Sequence, residues 1–371
     1  MDFDFSDEQE QLRDAVRKWV DKAYSFDEHR RIVAEGGFSA DVYQALAELG
    51  LTGLYVQDAY GGMDMGPVEG MVVMEELGRG MLLEPLSHAW ISSAVLQGFA
   101  PEALKQAWLP RIASGEALVV LAHQEQAARY HLDKCRATAS ENNGTWHVSG
   151  HKSLVTAGDH AHAFLVPAQY QGQIAMFLVA RSATTITSRN YQAQDGSRMS
   201  ELLLNNAPAE LLSLQGLAAL QLGVDVGIAA LCAESVGLME KTLTITAEYM
   251  NTRKQFGVPI AAFQALQHRA ADMKMQLELG RSMSYYATLK LNAAADERSL
   301  ALSRAKLQMG RSTRHVGQEA VQLHGGIGVT DEYIVSHCFK RLTQMEMTFG
   351  DSLHHLGQVS AQMQETAGVF A

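Results

Sequence analysis

Two helical segments flanking a β segment are predicted by three features of the sequence. Beyond Pro208 only Pro259 remains, and proline and glycine are the main helix breakers, so the C-terminal stretch reads as long helices. Apolar residues recur at helical spacing on both flanks. Between about residues 119 and 212 the texture changes to β-branched and aromatic runs interrupted by Asn143-Gly144. The expected segments are therefore 1–118 (helical), 119–212 (β) and 213–371 (helical).

Taken in order, Ser6 with Gln9 three residues on is a capping box ahead of Leu12, Val16 and Val20. Val42, Ala45, Leu46 and Leu49 share one face of a second helix. Tyr60-Gly61-Gly62 makes a turn, and a helix restarts over Val72 to Leu77. Cys135 to Ser140 and Trp146 to Ser149 read as strands joined by a hairpin at Asn143-Gly144. Ala163–Val166, Ile174–Val179 and the run Thr184-Thr185-Ile186-Thr187 add further strands. Leu266, Ala270, Met273 and Leu277 fall on one helix face, as do Leu302, Ala305, Met309, Val316 and Ala320. Such stripes predict an antiparallel bundle with methionine as core filler.

With 371 residues, two or three domains and a sizeable core are expected. Hydrophobic content of 47%, charged content of 19% and a net charge of -11 fit a soluble globular chain. They argue against nucleic-acid binding, because no dense Lys/Arg run is present. The acidic opening Met1 to Glu8 lacks a signal-peptide pattern, and no apolar run reads as a transmembrane segment. Cys135, Cys232 and Cys338 are odd in number and widely spaced. They read as free thiols in a reducing cytoplasm rather than as a disulfide framework or zinc site.

There is no Gly-x-Gly-x-x-Gly, Walker loop, Gly-x-Ser-x-Gly or His-Glu-x-x-His, so the activities those motifs serve lose support. Two features remain. Asn251 to Gly257, with Phe263-Gln264 beyond, reads as a helix end with Arg253 and Lys254 complementing the dipole and Gly257 terminating the helix. That structural reading accounts for Lys254 better than for Phe256 and Gln264. Gln322 to Gly328 holds three glycines in four positions. Alone it reads as an interhelical turn, or as a place where a ligand approaches backbone N–H groups closely.

Together these motifs resemble the acyl-CoA dehydrogenase family over essentially the whole chain. The resemblance runs through Phe5 to Gln9, Tyr60-Gly61-Gly62, Glu75 to Gly78, Gly150-His151-Lys152, Arg253 to Gly257, Gln322 to Gly328 and Glu332-Tyr333. It implies an N-terminal helical domain, a middle β-barrel-like domain and a C-terminal four-helix bundle. It also implies FAD bound between subunits, oxidation of an acyl-CoA thioester to 2-enoyl-CoA, and electron-transfer flavoprotein as acceptor. In that chemistry a carboxylate in a dry pocket removes the α-proton while a hydride leaves the β-carbon for the flavin. The resemblance assigns Arg253 to the FAD pyrophosphate, flanked by Gln255 and Phe256. Gln264, Gln322, Gly325 and Gly326 line other parts of the cofactor, and Thr156 lies near flavin N5.

Three departures from the family pattern follow. Leu154 stands where the family usually has Trp, which implies looser flavin shielding. The family's Glu-Pro-Gly-Ala-Gly-Ser-Asp run is reduced to its first residue, Glu125, followed by Gln126-Ala127-Ala128-Arg129-Tyr130. The two positions that carry the base in the family fall on Phe349 and Gly227, and Gly350 is the neighbouring substrate-side residue. Asp351 lies two residues on, about 200° around a helix. It reads first as a helix N-cap and second as a displaced base; Asp225 and Glu346 are further candidates. His354-His355 reads as a partly solvated helix face. Phe349-Gly350-Asp351 is similar to the small subunits of heteromeric bacterial acyl-CoA dehydrogenases, in which a related large subunit supplies the base. The alternatives are a self-sufficient homo-oligomer with an unconventional base and a non-catalytic scaffold that keeps the fold.

Overall fold

The computed structural model describes residues 5–367. Met1–Asp4 of the acidic opening and residues 368–371 lie outside the described residues. Six helices come first: α1 (Asp7–Ala23), α2 (Phe26–Ala34), α3 (Ala40–Glu48), α4 (Pro67–Gly80), α5 (Leu86–Phe99) and α6 (Glu102–Ala113). Seven strands follow: β1 (Val119–Leu121), β2 (Thr138–Asn142), β3 (Thr145–Thr156), β4 (Ala163–Tyr170), β5 (Gln173–Ala180), β6 (Ile186–Gln192) and β7 (Arg198–Ser213). Then come α7 (Gly216–Thr252), a small hairpin of β8 (Lys254–Gln255) and β9 (Val258–Pro259), α8 (Gln264–Lys290), α9 (Ala295–His324), α10 (Ile334–Met347) and α11 (Ser352–Ala367). The predicted helical–β–helical order is present.

The chain forms two compact units. One takes Pro67–Leu82, Ile228 onward and the chain up to Arg30; the other takes Arg31–Gly66 and Leu83–Gly227. In the first unit α1 starts with the expected capping box, in which Gln9 N donates to Ser6 Oγ and Ser6 N to the Gln9 side chain. Its Val16 and Val20 are buried. Helices α4 and α7 meet backbone to backbone. A Cβ at Gly78 would lie 2.0 Å from Glu234 O, and one at Gly237 would lie 1.8 Å from Glu75 O, so only glycine fits either side of the crossing. Arg341 of α10 pairs with Glu234 of α7. The whole predicted α9 stripe is buried, whereas Leu266 and Ala270 of α8 are only half-buried.

Contrary to the expectation that no apolar run is long enough, helix α7 contains an 18-residue apolar window of the kind that can span a membrane. Within the fold 78% of that window is buried, as expected of a core helix.

In the second unit β3, β7, β5, β4 and β2 pair in succession, and the β2–β3 pairing closes the ring; β1 adds to β4 and β6 to β7. The β2–β3 turn has Asn143 at φ 51° and Gly144 at φ 78°, the left-handed pair that a two-residue hairpin requires. Inward residues Val148, Phe164, Val166, Phe177, Leu202 and Leu204 build the core. The 16-residue β7 has no clear signature in the sequence, because exposed and buried residues do not alternate regularly along it.

Candidate functional site: an open glycine turn beside an aromatic hairpin

In the first unit the helix-end reading of Arg253 to Gly257 needs correction. Helix α7 stops at Thr252, and Lys254-Gln255 pair with Val258-Pro259. Phe256 (φ 53°) and Gly257 (φ 84°) form the two-residue turn. Gly257 thus turns a hairpin instead of ending a helix, and Lys254 is a strand residue. Phe256, at the tip, is 92% exposed, and its ring stands edge-on to Phe263, 6.2 Å away, at the start of α8. Arg253, Gln255 and Gln264 are exposed on the same hairpin and helix start.

The glycine turn adjoins this hairpin. Tyr249, whose carbonyl accepts from Arg253 N, stacks on His324 at 4.3 Å and donates its hydroxyl to His324 O. His324 Nδ1 lies 2.8 Å from Ala320 O and must carry the proton, leaving the buried Nε2 without a partner. Gly325 has φ 62°. A Cβ on Gly325 or Gly326 would meet nothing within 4 Å, and both glycines and Gln322 are exposed. Gly326 needs neither a left-handed φ nor internal clearance, so its lack of a side chain is not explained from within the unit. Arg253, Gln255, Phe256, Gln264, Gln322, Gly325 and Gly326 are all exposed, and the Tyr249–His324 stack ties the base of the hairpin to the start of the glycine turn.

The position expected to lack a base is the turn between α10 and α11. Phe349 is half-buried at φ 58°, and Gly350 is buried at φ 112°. Asp351 accepts from His354 N at 2.8 Å and is the N-cap of α11, as predicted. The Glu346 carboxylate accepts from Ser352 N (2.9 Å) and Ser352 Oγ (2.8 Å). His355 is buried rather than part of a solvated face, because its Nε2 must reach Phe349 O, 3.0 Å away. Burial, together with Lys306, pushes its pKa down to about 3.

No motif in the sequence points to Lys306. It is fully buried on α9 and donates to the carbonyls of Glu346 (2.7 Å) and Gly350 (2.9 Å). Burial lowers its pKa to about 8, against the pull of Cys232, Glu346 and Asp351. The available signal is its spacing of four from Leu302 on the apolar stripe.

Elsewhere in this unit burial pushes the Glu75 carboxyl up to about 7, despite Arg281. Its folded-state pKa exceeds the ordinary 4.5, so its stabilising contribution is complete below pH 4.5 and is lost as pH rises through about 7. Denaturant midpoints of the wild-type chain should fall more steeply across that window than those of Glu75→Gln.

The second unit holds Thr156, half-buried at the end of β3 just after a register shift between Lys152 and Val155. The preceding Leu154 is 53% exposed. Gly227 is buried on α7, as is Asp225, which accepts from Gln221 Nε2 at 2.9 Å. Glu125 is committed structurally. Its carboxylate takes Lys152 Nζ (2.7 Å), Arg136 N (2.7 Å) and Ala137 N (3.1 Å). Burial alone would raise its pKa, but Lys152 and the two amides outweigh burial and hold it below the usual range. Cys232 and Cys338 are buried free thiols and Cys135 is half-buried. No cluster able to hold a metal occurs among the described residues.

Residues 6–116 match the family described as Acyl-CoA dehydrogenase, N-terminal domain, and residues 215–364 match Acyl-CoA dehydrogenase, C-terminal domain. The chain is 29% identical over 371 residues to probable acyl-CoA dehydrogenase YngJ of Bacillus subtilis (strain 168), covering 95% of this chain and 97% of that protein. Among solved structures, a variant of the Tcur3481-Tcur3483 steroid ACAD superposes with TM-score 0.90 at 26% identity, covering 97% of this chain and 99% of that one. The ChsE4-ChsE5 complex from Mycobacterium tuberculosis shares the fold, with TM-score 0.89 at 23% identity over 99% of this chain and 100% of that one. Fold and matches define a helical–β–helical flavoprotein of the oxidoreductase class. The chain belongs to the acyl-CoA dehydrogenase family. FAD is the cofactor of that family, and its general reaction is FAD-dependent dehydrogenation of acyl-CoA. The open glycine turn, the exposed Arg253 and the orphaned His324 Nε2 fit part of such a cofactor.

Proposed function

We propose that this chain is the flavin-binding subunit of a cytoplasmic acyl-CoA dehydrogenase, and that a related large subunit supplies the catalytic base. One observation carries the reading. Phe349 stands where the resemblance puts the base, and the two carboxylates nearest to it in sequence, Glu346 and Asp351, are held by the backbone of α11. A base must reach the substrate proton, and a carboxylate satisfying a helix start is poorly placed to do so. The likeness to the Tcur3481-Tcur3483 steroid ACAD, whose name joins two chains, supports a heteromeric assembly.

Bound FAD would accept the hydride. Arg253 would hold its pyrophosphate through charge-assisted hydrogen bonds, with Gln255, Phe256 and Gln264 beside it. Gln322, Gly325 and Gly326 would give it close backbone approach, and Thr156 would lie at the flavin. Gly350 would border the acyl thioester. Electron-transfer flavoprotein is the proposed acceptor.

The flavin-to-chain ratio of protein purified with and without a co-expressed large subunit tests this assembly. One FAD per pair of unlike chains is expected, whereas one FAD per identical chain at full turnover would exclude it. Gly326→Val probes the cradle. Its side chain enters open space, so the apo chain should melt within about 0.5 kcal/mol of wild type while FAD occupancy falls at least tenfold.

A further inference from the structure

Lys306 is the one charge placed deep in α9, between Leu302, Ala305 and Met309, which are all buried. A desolvated ammonium is costly unless its environment needs its protons. Its hydrogen-bond partners here are not carboxylates but two main-chain carbonyls four residues apart, Glu346 O and Gly350 O. The first belongs to the last turn of α10, where carbonyls lack intrahelical donors. The second belongs to a residue held at φ 112°. A third carbonyl, Phe349 O, faces His355 Nε2. One nitrogen thus clips both ends of the turn.

In a planar trans peptide the N–H lies opposite the C=O. Turning Phe349 O and Gly350 O inward therefore sends the Gly350 and Asp351 N–H groups to the other side of the turn. The space beside Gly350 is equally constrained, since a Cβ there would lie 2.6 Å from His355 Nε2 and 2.8 Å from His354 Cδ2.

We propose that Lys306 is a positioning residue for the acyl-CoA reaction: by donating to Glu346 O and Gly350 O it fixes where Phe349 and Gly350 stand at the acyl site. This rests on the reading of Phe349 as the family's base position. Lys306 itself touches neither substrate nor cofactor; it acts through the turn. Two N–H donors suffice, so the clip depends on donors rather than on charge.

The test compares Lys306→Met, which removes the donors, with Lys306→Gln, whose uncharged amide retains two. Octanoyl-CoA binding to the FAD-loaded protein is read from the shift of the oxidised flavin spectrum, which requires no reduction. Hydrogen exchange is followed over residues 345–355, where the Thr348, Ser352 and His354 amides are hydrogen-bonded. Lys306→Met is expected to speed exchange there at least tenfold and weaken octanoyl-CoA binding at least tenfold, with FAD content unchanged. Lys306→Gln is expected to restore both to within threefold of wild type.

Unchanged exchange in Lys306→Met would overturn the positioning role while leaving the acyl-CoA reading intact. Faster exchange with unchanged octanoyl-CoA binding, or no octanoyl-CoA response in wild type, would overturn the reading of the turn and the proposal with it. Should Lys306→Met fail to accumulate, exchange in the wild-type chain decides. Protection of those three amides equal to that of α9 supports the clip, and loop-like exchange sinks it.

Discussion

Mixed with octanoyl-CoA, the FAD-loaded chain on its own is expected to leave its flavin oxidised. Co-expression with a related chain that carries a glutamate at the position of Phe349 should restore reduction. A positioned general base contributes about 10²–10⁴-fold, so the two preparations should differ by that factor in single-turnover flavin bleaching. The physical basis lies in the α10–α11 turn. Glu346 is held by Ser352 and Asp351 by His354 N, and phenylalanine cannot accept a proton. Asp351→Asn separates the readings, because asparagine caps a helix about as well as aspartate. If the isolated chain reduces its flavin at full rate and Asp351→Asn abolishes this, Asp351 is the base and no partner is required. If the isolated chain is silent and Asp351→Asn leaves the co-expressed assembly unaffected, the base lies on the other chain.

The largest stability effect should come from Lys152→Met in the β unit. The methionine fills a similar volume but leaves the Glu125 carboxylate buried without its cation, and breaking a buried pair from one side costs about 3–5 kcal/mol. Chemical denaturation should register that loss at neutral pH. Because the folded-state pKa of Glu125 is depressed, the contribution is present above its unfolded pKa and fades as pH falls through the folded value. The penalty of Lys152→Met should therefore shrink in acid. The double variant Glu125→Gln/Lys152→Met removes both charges, and its glutamine oxygen can still accept from Arg136 N or Ala137 N. It should recover most of the loss. A single-variant cost below about 1 kcal/mol would mean that the pair is no more than a surface-type ion pair.

What can be read from the sequence is mostly local. The Ser6–Gln9 box, the Asn143-Gly144 hairpin, the Asp351 cap and the α9 stripe each depend on residues within a few positions of one another, and each is present. Arg253 to Gly257 is ambiguous on that scale, because a left-handed glycine serves a helix C-terminus and a two-residue hairpin equally well. Only the backbone pairing of Lys254 with Pro259 across the turn decides between them. Lysine is ordinarily a surface residue, so neither Lys152 nor Lys306 reads as buried, even though Lys306 stands four residues from Leu302 on the apolar stripe. Their burial depends on partners 27 and 40 positions away, which no local pattern encodes. His355 is hidden for the same reason, since its neighbour in sequence, His354, is not buried with it.

The crossing of α4 and α7 at Gly78 and Gly237 has a consequence for how the molecule is made. Its two halves leave the ribosome about 160 residues apart, which at about 5–20 residues per second is a delay of roughly 8–30 s. Throughout that interval the face of α4 around Glu75 and Gly78, which meets Glu234 and Gly237 of α7, has no partner to pack against, while Arg31–Gly66 and Leu83 onward can already begin to assemble. Nascent chains arrested between these two points should therefore be the forms of this protein most dependent on chaperones and most readily cut by proteases.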